Sequence, residues 1–226
     1  MRYRGILIDL DMTLFDFDAG NRIAVGRLLD EVGYRAPDRF EAYEAVNLAC
    51  WAALERGEMT QGELRYIRFR RFFAQRGIDA DPDVAADRFV ALLGEQALLL
   101  PHAEEVARRI AAEKPLVLLT NGISAVQRAR LARSPLKDVA ADMIVSEEAG
   151  VAKPHPGLFN LALKKHGWSR REALMIGDSA TSDIAGANAA GIDACWLNPA
   201  GKPLPRGVHA EYVIRDLREC VEIAMR

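Results

Sequence analysis

The stretch Gly5-Ile6-Leu7-Ile8-Asp9-Leu10-Asp11 decides how this chain is read. Three consecutive aliphatic residues lead into two carboxylates separated by a single leucine. In a strand, side chains alternate, so both acids point to the same side. A short apolar run with no alternation marks a strand buried on both faces of a parallel sheet. In such sheets reactive groups collect just beyond the carboxyl ends of the strands. Two like charges this close need a cation or a shared proton. Taken alone, the pair fits equally well as a strand end capped by turn-forming acids.

Working outward, the same grammar recurs in the second half of the chain. Leu116-Val117-Leu118-Leu119 ends in Thr120-Asn121-Gly122, and residues 124–133 read as helix. Met143-Ile144-Val145 is a short strand, followed by helical spacing over 157–166. Ala173-Leu174-Met175-Ile176 ends in Gly177-Asp178, with a helix from about 182 to 190. Ala194-Cys195-Trp196-Leu197 and Tyr212-Val213-Ile214 complete the strands, and Asp216 caps a closing helix. Buried strands alternating with helices predict an α/β fold, a Rossmann-like parallel sheet with helices on both faces.

Residues 16–98 follow a different rule. Ile23, Leu28, Leu29 and Val32, then Phe40, Tyr43, Val46 and Leu48, then Leu64, Ile67, Phe72 and Phe73 recur at helical spacing. Pro37, Gly57, Gly62, Gly77 and Pro82 punctuate them. The expected organisation is an α/β core of residues 1–15 and 99–226, with an all-helical domain, residues 16–98, inserted after the first strand. The flanks 16–20 and 94–101 are the expected hinges.

The 226 residues are 50% hydrophobic and 27% charged, which excludes a disordered or fibrous class. Thirty Lys and Arg against 32 Asp and Glu leave a net charge of -2, giving no global field for a nucleic-acid polymer or an anionic membrane. Cys50, Cys195 and Cys220 match neither a disulfide framework nor a zinc spacing. The opening residues lack the apolar region of a secretory signal, and no run approaches the roughly 18 residues of a membrane span. The expectation is a cytoplasmic protein.

Four strand ends carry polar residues of one kind. Beyond Asp9 and Asp11 there is Thr120, whose hydroxyl and following backbone N–H groups suit a phosphate oxygen. Lys153 stands in Gly150-Val151-Ala152-Lys153-Pro154, and Asp178 and Asp183 flank Ser179-Ala180-Thr181-Ser182. Singly, these read as a helix-starting turn, a solvated lysine, and an N-cap supplied by Ser182 or Asp183. In this order they resemble the four motifs of the haloacid dehalogenase superfamily of phosphohydrolases. Ala45-Val46-Asn47 with Trp51, Thr120-Asn121-Gly122-Ile123-Ser124-Ala125 and Cys195-Trp196-Leu197-Asn198 resemble its pyrimidine 5′-nucleotidase branch.

That resemblance implies a Mg²⁺-dependent phosphatase acting on a small phosphomonoester, a nucleoside 5′-monophosphate with pyrimidines favoured. Asp9 would be the nucleophile, forming an aspartyl-phosphate. Asp11 would be the general acid and then the general base. Mg²⁺ would be held by Asp9, the backbone carbonyl of Asp11, and Asp178, with Asp183 orienting the site. Thr120, the backbone N–H of Asn121, and Lys153 would clamp the phosphoryl oxygens. The insertion matches the position of that superfamily's helical cap, which would close over the site and exclude water.

Within and beside that cap, Phe17, Asn47, Trp51 and Tyr66 are candidates to stack on or hydrogen-bond a base. Core packing is the competing role for each. Arg65, Arg68, Arg70, Arg71 and Arg76 read as a solvated basic face. The four histidines show no ligand spacing. The alternative substrate classes are phosphoglycolate and sugar phosphates. A different class of reading is a phospho-accepting signalling module or a non-catalytic binding protein.

Overall fold

The structure, a computed structural model, describes residues 2–56 and 58–226, without the side chains of Leu54, Glu55 and Gln61. Gly57, one of the expected breaks, lies outside the described residues. The chain divides into two compact units: residues up to Phe17 together with Ala97–Arg226, and Asp18–Gln96.

The first unit carries six strands: β1 (Gly5–Ile8), β2 (Leu116–Thr120), β3 (Asp142–Val145), β4 (Ala173–Gly177), β5 (Asp193–Leu197) and β6 (Tyr212–Ile214). All pairings are parallel, in the order β3-β2-β1-β4-β5-β6. The second unit is built from α1 (Phe17–Glu31), which begins in the α/β unit, α2 (Arg39–Glu55), α3 (Gln61–Arg76) and α4 (Pro82–Gly94). The remaining helices are α5 (Ala103–Ala111), α6 (Ser124–Arg133), α7 (Ser146–Ala149), α8 (Pro156–His166), α9 (Ala185–Ala190) and α10 (Glu219–Ala224). Among the described residues no helix is long and apolar enough to cross a membrane.

The unbroken apolar strands are explained by burial on both sides. Ile6 and Ile8 pack with Val106 and Ile110 of α5 and Val221 and Ala224 of α10. Leu7, pointing the other way, packs with Leu158 and Phe159 of α8 and Ala187 of α9. The chain order reverses at β1, which has β2 on one side and β4 on the other. This is the switch point at which a parallel sheet opens a crevice beyond its strand ends.

The helical unit is held by an aromatic core in which Phe69 and Phe89 stand 5.3 Å apart and Tyr43 and Phe72 meet edge to face. Its helices start where the sequence offers caps: Thr60 and Glu63 form a capping box on α3, and Asp81 accepts from Asp83 N and Val84 N on α4.

Several local expectations change. Ile23 and Leu48, counted on apolar stripes, are exposed. Arg68 is buried, not solvated: its guanidinium lies 4.6 Å from the Phe89 ring centroid, since a flat, weakly hydrated cation stacks on an aromatic face. Arg65, Arg70 and Arg76 pair at the surface with Asp87, Asp83 and Asp38 on neighbouring segments. Asp216 holds the N–H of Arg218 in the turn before α10, not the helix start itself.

Candidate active site

Asp9 follows directly on β1. Ile8 is in register with Leu118 of β2 and Ile176 of β4, and the Asp9 N–H donates to Ile176 O at 2.9 Å. The acid therefore sits between two neighbouring strand ends, with its side chain buried. Asp178 follows β4, and its backbone carbonyl accepts from Trp196 Nε1 at 2.8 Å. Thr13 Oγ1 reaches its carboxylate at 3.3 Å.

Asp183 is delivered by a π-helical turn, Ala180–Ile184, of a kind often found at functional sites. Ser179, not Ser182 or Asp183, caps this turn by accepting from Ser182 N. Asp183 Oδ2 accepts from Ser179 N at 3.1 Å. A side chain at Gly177 would place its Cβ 2.3 Å from Asp183 Oδ2, so only glycine lets the buried acid approach the end of β4. The outcome is a cluster in which oxygens of Asp9, Asp178 and Asp183 lie within 4.8 Å of one another.

The Lys153 ammonium is wrapped by this cluster. It donates to Asp9 Oδ1 and to Leu119 O at 2.7 Å, and pairs with Asp183 Oδ1 at 2.7 Å. An ammonium has three N–H donors, and three oxygens surround this one.

The backbone of Lys153 is also fixed. Asn121 accepts from Lys153 N through Oδ1 and donates to Lys153 O through Nδ2, both at 2.8 Å. The asparagine side chain therefore holds the lysine loop against the end of β2, a role distinct from the expected backbone contact. Thr120 Oγ1 accepts from Gln127 Nε2 at 2.8 Å and from Gly122 N at 3.3 Å. With both lone pairs engaged, the hydroxyl proton is what Thr120 has left to offer an anion.

The charges explain one another. Burial pushes the Asp9 carboxyl well above the ordinary carboxylate range; Lys153 opposes this, while Asp183 and Asp11 add to it. Asp178 is pushed up to about 6, by burial first and by Asp183 second. Burial disfavours the Lys153 charge, but Asp183 and Asp9 outweigh it and raise its pKa. Three desolvated carboxylates against one ammonium leave an excess of negative charge on hard oxygens. That donor set fits Mg²⁺.

Asp11 lies outside the three-acid cluster. Its carboxylate faces Gln127, at 2.6 Å, and Arg130 on α6. Neither α6 residue, nor Thr13, is marked by the strand-end grammar. The available signal was the placement of Gln127 and Arg130 three residues apart on the helix that opens from the Thr120 turn. Of the candidates for base recognition, Phe17 has its ring centroid 5.9 Å from the Arg130 guanidinium. Asn47, Trp51 and Tyr66 belong to the helical unit. Asn47 is buried and accepts from Arg68, Tyr66 donates to Asp87, and Trp51 is exposed.

Fold and site define an α/β enzyme with a carboxylate-rich centre at the switch point of a parallel sheet. The family model of haloacid dehalogenase-like hydrolases matches residues 3–191, and the chain belongs to that family. It is 34% identical to the pyrimidine 5′-nucleotidase YjjG of Escherichia coli, over 99% of this chain and 98% of that one. It is 34% identical to the pyrimidine 5′-nucleotidase PynA of Streptococcus pneumoniae, over 98% and 96%. The solved structure of the HAD-hydrolase YfnB from Bacillus subtilis, bound to magnesium, superposes with a TM-score of 0.91 at 33% identity and covers 99% of each chain.

Proposed function

We propose that this chain is a Mg²⁺-dependent phosphatase that hydrolyses nucleoside 5′-monophosphates, with a preference for pyrimidines, through an aspartyl-phosphate on Asp9. The observation that carries the chemistry is the buried Asp9 carboxylate at the end of β1, held by Lys153 and grouped with Asp178 and Asp183. The nucleotide substrate rests on the near full-length likeness to two pyrimidine 5′-nucleotidases.

In this reading an Asp9 oxygen attacks phosphorus while the Thr120 hydroxyl and the backbone N–H of Asn121 hold non-bridging oxygens. Asp11 gives its proton to the leaving alkoxide, then takes one from the water that cleaves the intermediate. Lys153, paired with Asp9, joins Thr120 and Asn121 in clamping the non-bridging oxygens and offsets repulsion among the carboxylates. Asp9, the Asp11 carbonyl and Asp178 would hold Mg²⁺, with Asp183 orienting Lys153 and the turn. When bound, the ion supplies charge neutralisation for the phosphoryl group. The helical insertion follows the first motif, the chain position of the superfamily's cap, so water exclusion and substrate choice would fall to it. A dehalogenase is disfavoured, because displacing a halide needs no acid at the leaving group.

The test is a steady-state panel of nucleoside monophosphates against phosphoglycolate and sugar phosphates. Sustained phosphate release, highest kcat/KM on pyrimidine nucleotides, supports the proposal. Failure on every nucleotide would sink it, and stoichiometric labelling without turnover would point to a phospho-accepting switch. If Trp51 contacts the base, Trp51→Ala raises KM for a nucleotide severalfold and leaves KM for p-nitrophenyl phosphate unchanged. Equal effects would return the ring to a packing role.

Metal binding has a pH signature. The Asp178 pKa is raised from 3.8 to about 6, so its contribution to stability is full below 3.8 and is lost as pH rises through about 6. Mg²⁺ offsets that loss only where the carboxylate is ionised. The rise in melting temperature on adding Mg²⁺ should therefore be larger at pH 7.5 than at pH 5. An equal rise at both would remove Asp178 from the metal site.

A further inference from the structure

Asp11 sits on a scaffold contributed by α6. Its Oδ1 pairs with Arg130 Nη1, and its Oδ2 accepts from Gln127 Nε2 at 2.6 Å. Both α6 side chains are buried, and the Arg130 guanidinium lies 4.5 Å from the Phe15 ring centroid. Such a cation is costly in a core unless it is paired and stacked. Arg130 Nη1 also donates to Gln127 Oε1 at 3.1 Å, and Gln127 Nε2 to Thr120 Oγ1 at 2.8 Å. One connected network thus runs from Arg130 through Gln127 to both Asp11 and Thr120. Gly122 makes room for it: a Cβ there would fall 2.4 Å from Gln127 Nε2.

We propose that Arg130 and Gln127 are positioning residues that fix the Asp11 carboxyl relative to Thr120, and so align proton transfer with the phosphoryl group that Thr120 holds. This rests on the reading of Asp9 as nucleophile and Asp11 as acid. In the first step an Asp9 oxygen bonds to phosphorus and the bond from phosphorus to the leaving oxygen breaks. The electron pair of that bond stays on the leaving oxygen, which takes the proton carried by Asp11. The phosphate clamp and the acid must act on adjacent atoms in one step, so an amide that touches both sets their separation. Displacement of about 1 Å in such a contact costs roughly 10²-fold in rate.

A merely structural ion pair would affect all substrates alike; positioning an acid would not. p-Nitrophenolate departs without a proton, whereas a nucleoside alkoxide needs one. Single-turnover rates of Arg130→Met and Gln127→Met, with Mg²⁺ present, separate the two. For a nucleoside 5′-monophosphate, phosphorylation should slow by roughly 10²-fold in Arg130→Met and about tenfold in Gln127→Met. The p-nitrophenolate burst rate should stay within about threefold in Arg130→Met, a range too small to reflect a lost proton transfer. In Gln127→Met, where Thr120 also loses a hydrogen bond, it should fall less than the nucleotide rate.

Gln127→Met keeps the Arg130–Asp11 pair and decides the matter if Arg130→Met does not fold. Equal slowing of both substrates, or of neither, overturns the positioning role while the functional reading stands. A wild-type protein that turns over neither substrate sinks that reading and this inference together.

Discussion

Asp9→Asn is expected to lower kcat by on the order of 10⁵-fold on every phosphomonoester, because an amide oxygen does not displace an alkoxide from phosphorus. The same variant should fold at least as well as the parent without metal. Burial and the neighbouring acids push the Asp9 carboxyl well above its ordinary range, so at neutral pH its ionised form strains the fold. Asparagine resembles the protonated acid and still accepts a hydrogen bond from Lys153. The expected result is a dead enzyme whose metal-free melting temperature at pH 7.5 is unchanged or raised. Substantial residual turnover would remove Asp9 from the nucleophile's position, and a large fall in melting temperature would make it a structural acid instead.

Lys153→Met should damage both activity and stability. The side chain is buried among Asp9, Asp183 and the Leu119 carbonyl, so its removal leaves carboxylates desolvated without their cation. Breaking a buried pair in this way typically costs about 3–5 kcal/mol. Loss of a charged group near a phosphoryl transfer costs roughly 10²–10³ in kcat. The pH dependence carries the diagnosis. With the cation gone, protonation of Asp9 relieves the repulsion, so the stability deficit should be largest near pH 8 and narrow as pH falls toward 5. Denaturant titrations of both proteins across that range measure it; a deficit independent of pH would mean that Lys153 serves packing alone.

The contrast between these two neighbours follows from one feature of the fold. Every motif side chain in the cluster is brought to the same dry crevice, where unbalanced charge is expensive and each group sets the ionisation of the next. Asp178 is pushed up to about 6, so it changes charge just below neutrality. That makes it the natural gauge of bound metal.

Much of this was legible in the chain itself. Continuous apolar strands such as Leu116–Leu119 need burial on two faces, so the parallel sheet follows from hydrophobicity alone. The strand ends that carry Asp9, Thr120 and Asp178 are marked where each apolar run gives way to polar residues and glycine. The helical spacing of residues such as Tyr43, Phe72 and Phe73 likewise requires packed helices. These are local rules, read within a few residues.

What the chain could not reveal is which distant side chains meet. Arg68 reads as one more arginine on a basic face, yet the tertiary structure stacks it against Phe89. Asn121 reads as part of a turn, yet it holds the backbone of Lys153, 32 residues away. Gln127 and Arg130 fall in a stretch that reads only as helix, yet they hold Asp11 across more than a hundred residues of sequence. The strands, the helices and the chemical groups at the strand ends are written in the order of residues, because they depend on short-range periodicity. How the groups are oriented and charged emerges with the folded chain, because orientation and ionisation depend on partners that the fold, and not the chain order, makes neighbours.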